Sequence, residues 1–177
     1  MKPGEAATSE WEFQGDALGW IKTYISAHAV GLDNASQEFK NADGRRSDVI
    51  VRKDHAARVA ALAIELKTPK TKLSDVDFQR DAVRKAQMVG SGYVALWNMQ
   101  SLALYRTPAK PRSTLLPHDL IFPWPADDQV KTVSDWLKPG TKERLRQRAN
   151  SPMTELADLR AIFSSCARLP ALPDLAL

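Results

Sequence analysis

A chain of 177 residues with 44% apolar and 26% charged side chains can build one hydrophobic core, and that composition argues against disorder. A net charge of +4 and a pI of about 9.3 permit an anionic partner such as nucleic acid without requiring one. One cysteine (Cys166) and three scattered histidines (His28, His55, His118) argue against a disulfide framework and a thiolate or imidazole metal site, and no apolar run reaches the ~20 residues of a membrane span.

The acidic, polar start MKPGEAATSEWEFQGD is unlike a signal peptide, and the lone cysteine fits a reducing compartment, so a cytoplasmic location is expected. The first element is a helix over residues 9–29. Ser9 and Glu12 have the spacing of a capping box, and Leu18, Ile21, Tyr24, Ile25 and His28 fall on one stripe. A short β-branched strand follows at residues 47–53, then a turn at DHAA, then a second strand at residues 58–67; the two form a plausible hairpin. Pro69 ends that strand. Ser74 is placed to cap a helix running to about Val89 with Phe78, Ala82, Ala86 and Val89 along one side, stopped by Gly90-Ser91-Gly92. Two further strands, YVALWN and SLALYR, meet at a tight turn over residues 98–101.

The order helix, strand, strand, helix, strand, strand predicts an α/β fold. The helix between the second and third strands makes those two a parallel pair within a mixed sheet. After Arg106 five of the eleven prolines (108, 111, 117, 123, 125) crowd into one stretch, expected to be an extended wrap or linker over residues 107–126. Residues 127–177 read as a helical extension: a helix from Asp127 to Leu137, a basic stretch KERLRQR, and a last helix from Ser151 aligning Leu156, Leu159, Phe163 and Cys166. The final LPALPDLAL resembles the start of a linker or the cut end of a longer polypeptide. Trp97 and Tyr105 lie on strands and read as core, and Trp124 as an anchor for the wrap.

Chemistry concentrates in one place. Six of the seven residues 60–66 are apolar, yet Glu65 and Lys67 flank Leu66 at the end of that strand, both on one face. Charges at a buried strand end are costly unless something uses them; the bland alternative is a solvated ion pair of little energetic worth. Asp48 opens the preceding strand, so a hairpin can bring Asp48 and Glu65 together. Paired carboxylates, with the Leu66 carbonyl as a further oxygen, suit Mg²⁺ or Mn²⁺. Lys67 can reach a water or a phosphate oxygen, and those parts serve phosphodiester hydrolysis. Arg45, Arg46, Lys70 and Lys72 flank this place as candidate phosphate contacts, and Lys142, Arg144, Arg146 and Arg148 offer a second basic surface.

Asp48, sixteen intervening residues, then Glu65-Leu66-Lys67 resembles the signature of the PD-(D/E)XK nuclease superfamily. Over residues 9–106 the run SQEFKNADGRRSDVIV…IELKTP…YVALWN is similar to the nuclease domain of restriction-modification proteins, type I motor subunits and fused methylase-nucleases above all. The resemblance implies a restriction-endonuclease-like core over residues 1–106 and Mg²⁺-dependent cleavage of double-stranded DNA. It further implies companion methylase, helicase or specificity domains. Asp48 and Glu65 would be metal ligands, Lys67 would assist the attacking water, and Glu38 would be an additional acid. On the second helix Gln79 and Lys85 compete for a place facing the site, and Gln79 is preferred. Val83 stands where the family's Gln-x-x-x-Tyr pattern has tyrosine, and Ser47 where it has proline. Rival readings are a junction resolvase or repair nuclease of the same superfamily, and a noncatalytic nucleic-acid-binding module that keeps the fold.

Overall fold

The apolar run at residues 60–66 makes up most of β3 (Val59–Leu66), a central strand of a sheet whose six strands among the described residues follow in chain order. The structure is a computed structural model that describes residues 10–28, 31–37, 48–109 and 115–124 (backbone only for 122–124), with residues 129, 130 and 135. Around β3 stand β1 (Asn34–Ser36), β2 (Val49–Asp54), β4 (Tyr93–Trp97), β5 (Leu102–Arg106) and β6 (Leu120–Trp124). Neighbours are antiparallel except β3 and β4, which run parallel with Leu62 opposite Tyr93 and Leu66 opposite Trp97. A parallel step needs a crossover, here α2 (Val76–Met88). The expected α/β class, the hairpin and the parallel pair are all present.

Both faces of the sheet are covered, which is why β3 reads as a continuous apolar run rather than an alternating one. Leu62, Ile64 and Leu66 pack with Phe13, Ile21 and Ile25 of α1 (Glu10–Ala27). Ala63 faces the other way, into a cluster with Phe78, Ala82, Val83 and Ala86 of α2. Glu65 shares the parity of Ala63 and therefore lies under α2. On α1 the predicted stripe is partly right. Ile21 and Ile25 are core and Leu18 and Tyr24 pack beside it, whereas His28 is exposed and stacks on the Tyr24 ring at 4.2 Å.

The cap of α2 differs from expectation. Asp75, not Ser74, is the N-cap, its Oδ1 accepting from the Phe78 N–H at 2.9 Å. A carboxylate there also complements the positive end of the helix dipole. At the other end Gly90 takes φ +65° and donates to the Gln87 carbonyl, while the Ser91 N–H reaches the Ala86 carbonyl, the paired bonds of a Schellman stop. Between β4 and β5, the Asn98 side chain accepts from the Ser101 N–H and hydroxyl and donates to the Thr71 carbonyl, fixing the turn to the loop after β3.

Two strands escape the sequence reading. β1 is only three residues long, too short for a periodicity signal. Residues 107–126, expected as a wrap or linker, contain a 3-10 turn at Pro117–Asp119 and then β6, which pairs with β5. The sheet therefore continues past Arg106. Among the described residues β6 is an edge strand, a position that tolerates Pro123. The helices expected beyond residue 126 lie outside the described residues, as do Cys166 and the basic stretch; Val130 is buried against the α1 side of the core.

Adding a methyl at Gly90 meets nothing within 4 Å, so Gly90→Ala tests backbone strain alone. It should cost about 1–2 kcal/mol in urea unfolding. Leu66→Ala, a fully buried site, should cost about 2–5 kcal/mol in the same assay.

Candidate active site

The register of β2 on β3 builds the site. Val49 pairs with Ile64, so the chain carries Asp48 alongside the end of β3, beyond the first paired residue of β2. There the Leu66 N–H donates to Asp48 Oδ2 at 2.7 Å, a side chain standing in for the missing strand partner. The other carboxylate oxygen, Oδ1, accepts from Gln14 Nε2 of α1 at 3.3 Å, and the same amide donates to the Asp48 carbonyl at 3.0 Å.

Glu65 is only 2% exposed. Its Oε1 accepts from Lys85 Nζ at 2.5 Å; Lys85 is held in turn by Asp81 one helical turn away at 2.8 Å. Glu65 Oε2 is buried and has no hydrogen-bond partner among the described residues. A partnerless buried carboxylate oxygen costs at least about 1–3 kcal/mol and is relieved by a proton or a cation. Lys67 follows the last residue of β3; its N–H donates to the Trp97 carbonyl and its ammonium pairs with Glu10 of α1 at 2.9 Å.

Electrostatics follow from this packing. Burial, then repulsion from Asp48, push the Glu65 carboxyl up to about 8, overriding the attraction of Lys85. Burial also raises Asp48, against the Leu66 N–H and the two lysines that favour its charged form. Burial works against the charge of Lys67 and of Lys85. The surrounding carboxylates outweigh it, Glu10, Glu65 and Asp48 for Lys67 and Glu65 with Asp81 for Lys85, so both lysines are raised.

Asp48, Glu65, Leu66 and Lys67 are thus brought together at one end of the sheet. Gln79 is not. Its amide donates to the Leu73 carbonyl and accepts from the Leu115 N–H, tying two loops together. Lys85 is the α2 residue beside the carboxylates, which corrects the preference for Gln79. Six positions along a helix turn a side chain by about 120°, so the two sit on opposite flanks of the buried stripe. The Asp81–Lys85 spacing was the available signal. Glu10 and Gln14 were also missed, although their spacing of four places both on one face of α1. Glu38, Arg45 and Arg46 lie outside the described residues; Lys70 and Lys72 are exposed in the loop after β3. Trp97 packs in the core, edge-on to Phe13 at 5.0 Å.

No protein-family model matches the chain, and neither does any curated protein. Among solved structures it is similar to the type IIG restriction endonuclease BpuSI, with a TM-score of 0.49 and 13% identity. That match covers 86% of this chain and 16% of the other. The chain thus spans about a sixth of that protein. At this level of likeness the site stands on its own residues.

Those residues fit a hard divalent cation. Among the described residues no group of three or more His, Cys, Asp or Glu side chains is placed to hold a metal ion. Mg²⁺, however, keeps several waters and is commonly bound through one or two carboxylates. Two neighbouring carboxylates, both raised by burial and one of them also by the charge of the other, with one oxygen orphaned among the described residues, are a donor set that such an ion completes.

Without metal, Glu65 should make stability pH-dependent. Its folded pKa of about 8 exceeds its ordinary 4.5, so the folded state holds an extra proton between those values. That contribution is complete below pH 4.5 and is lost as pH rises through 8. In EDTA, Glu65→Gln should therefore gain on the wild type by about 1.4 kcal/mol per pH unit across that window, measured by denaturant unfolding.

Proposed function

We propose that this chain is a divalent-metal-dependent endonuclease hydrolysing phosphodiester bonds of double-stranded DNA. In this reading it has a restriction-endonuclease-like core and serves as the nuclease module of a restriction-modification or phage-defence protein. One observation carries the reading: the buried, half-partnered Glu65 carboxylate lies against Asp48 with two lysines, Lys67 and Lys85, around them.

Asp48 and Glu65 would hold Mg²⁺ or Mn²⁺, with the Leu66 carbonyl as a further oxygen donor and Glu38 as an additional acid. When bound, the ion supplies positive charge against the charge that develops on the phosphate. The protein's own groups do the rest. Lys67, 30% exposed at its side chain, can exchange Glu10 for a phosphate oxygen or orient the attacking water. Lys85 holds Glu65 in place. Lys70 and Lys72, exposed beside the site, supply phosphate contacts that position DNA without reading its sequence. Sequence choice then falls to companion methylase, helicase or specificity domains.

The noncatalytic alternative has one observation in its favour: Lys85 already neutralises Glu65 from one side. Supercoiled DNA incubated with the protein, with and without Mg²⁺ or Mn²⁺, separates the two. Metal-dependent nicking is expected, falling by about a hundredfold or more in Asp48→Ala and Lys67→Ala. Nicking that needs no metal, or that survives both substitutions, would remove the assignment; DNA binding without nicking would support the alternative.

A further inference from the structure

Gln14 is 5% exposed, a polar side chain set between the core residues Phe13 and Ala17 on the buried face of α1. A buried amide is costly unless its donors are used. This one spends Nε2 on Asp48 twice, at the carbonyl and at Oδ1. The opposite oxygen, Oδ2, is held by the Leu66 N–H. The Asp48 carboxylate is thereby gripped from two directions, by a helix on one side and by the end of β3 on the other. One helical turn earlier, Glu10 takes the ammonium of Lys67. Both ends of the Asp48…Lys67 motif therefore lean on the same turn of α1.

The geometry points to Gln14 as a positioning residue that sets the orientation of the Asp48 carboxylate for a divalent cation. It deepens the nuclease reading above and rests on it. The residue type suits the task. A lysine or arginine in its place would bring a positive charge that competes with the cation. A glutamate would add a third carboxylate beside two that burial already makes costly to ionise. An apolar residue of the same size would pack as well but leave one oxygen and one carbonyl of Asp48 without this donor. A neutral amide orients the carboxylate without supplying the charge that belongs to the ion, which is how groups behind metal ligands commonly act.

The rival role is mechanical: Gln14 could serve only to tie α1 to the sheet. The two roles diverge in what they change. A tie affects stability alone, whereas a positioning residue affects cation affinity and turnover in protein that is fully folded. The test uses the 177-residue chain and Gln14→Met, which keeps the volume and removes the donor. Mn²⁺ affinity is read by calorimetry in the absence of DNA, and kcat and KM are read on supercoiled DNA. Circular dichroism confirms that each sample is folded at the assay temperature. Gln14→Asn, whose amide is one methylene too short to reach both acceptors, takes over if the methionine variant does not fold.

The expected result is Mn²⁺ binding weakened by about 10–100-fold, with kcat reduced and KM for DNA unchanged. Wild-type Mn²⁺ affinity and kcat in folded variants would overturn the role of Gln14 while leaving the nuclease reading intact. A wild-type protein that neither binds Mn²⁺ nor nicks DNA would overturn both.

Discussion

A carboxylate buried near the end of a central strand, close to a second carboxylate, is the constraint around which the rest of this structure is arranged. Glu65 cannot be moved to solvent, because β3 pairs on both sides and is covered on both faces. The surrounding elements each answer it. The crossover helix brings Lys85 down onto one oxygen, and Asp81 keeps Lys85 there. The strand before it brings Asp48, whose charge makes matters worse, and the first helix and Leu66 hold that second carboxylate fixed. Nothing about stability alone favours this arrangement. An apolar residue at position 65 would suit the layer between β3 and α2 better, since replacing buried charges by apolar groups is commonly neutral or stabilising. Under the proposed function, the pair is a site whose cost the core absorbs.

The same reasoning separates what was legible in the sequence from what was not. β3 was legible because a strand sealed on both faces is a continuous apolar run, and Glu65 inside it with Lys67 just beyond its end broke the pattern conspicuously. Asp48 was legible from its place at the start of the neighbouring strand. The parallel pairing followed from a helix too long to be a hairpin loop. By contrast, β1 and β6 carry no pattern of their own: one has three residues, the other a proline, and each exists because a neighbouring strand offers an edge. The N-cap of α2 was misplaced by one residue because Ser74 and Asp75 are adjacent and both good caps, and the helix starts directly after Asp75.

The site was legible only as far as it is made of strand. Alternation along β3 places Glu65 without any knowledge of partners, whereas the side chains that come from helices depend on how each helix is rotated over the sheet. Gln79 and Lys85 both fall beside the apolar stripe of α2, and sequence does not say which flank lies over Glu65. Gln14 was harder still, since a glutamine on an apolar face gives no sign of what it will meet 34 residues later.

That rotational question bears on α2 as a whole. The helix is closed chemically at both ends, by the Asp75 carboxylate on the Phe78 N–H and by the left-handed Gly90 turn on the Gln87 and Ala86 carbonyls. Between these stops there is no slack, and each residue added or removed would turn everything beyond it by about 100°. Lys85 reaches Glu65 because the count from the cap is right. The helix therefore acts as a gauge block: its length and phase, set by two caps that never touch the site, determine which charge is lowered onto the buried carboxylate.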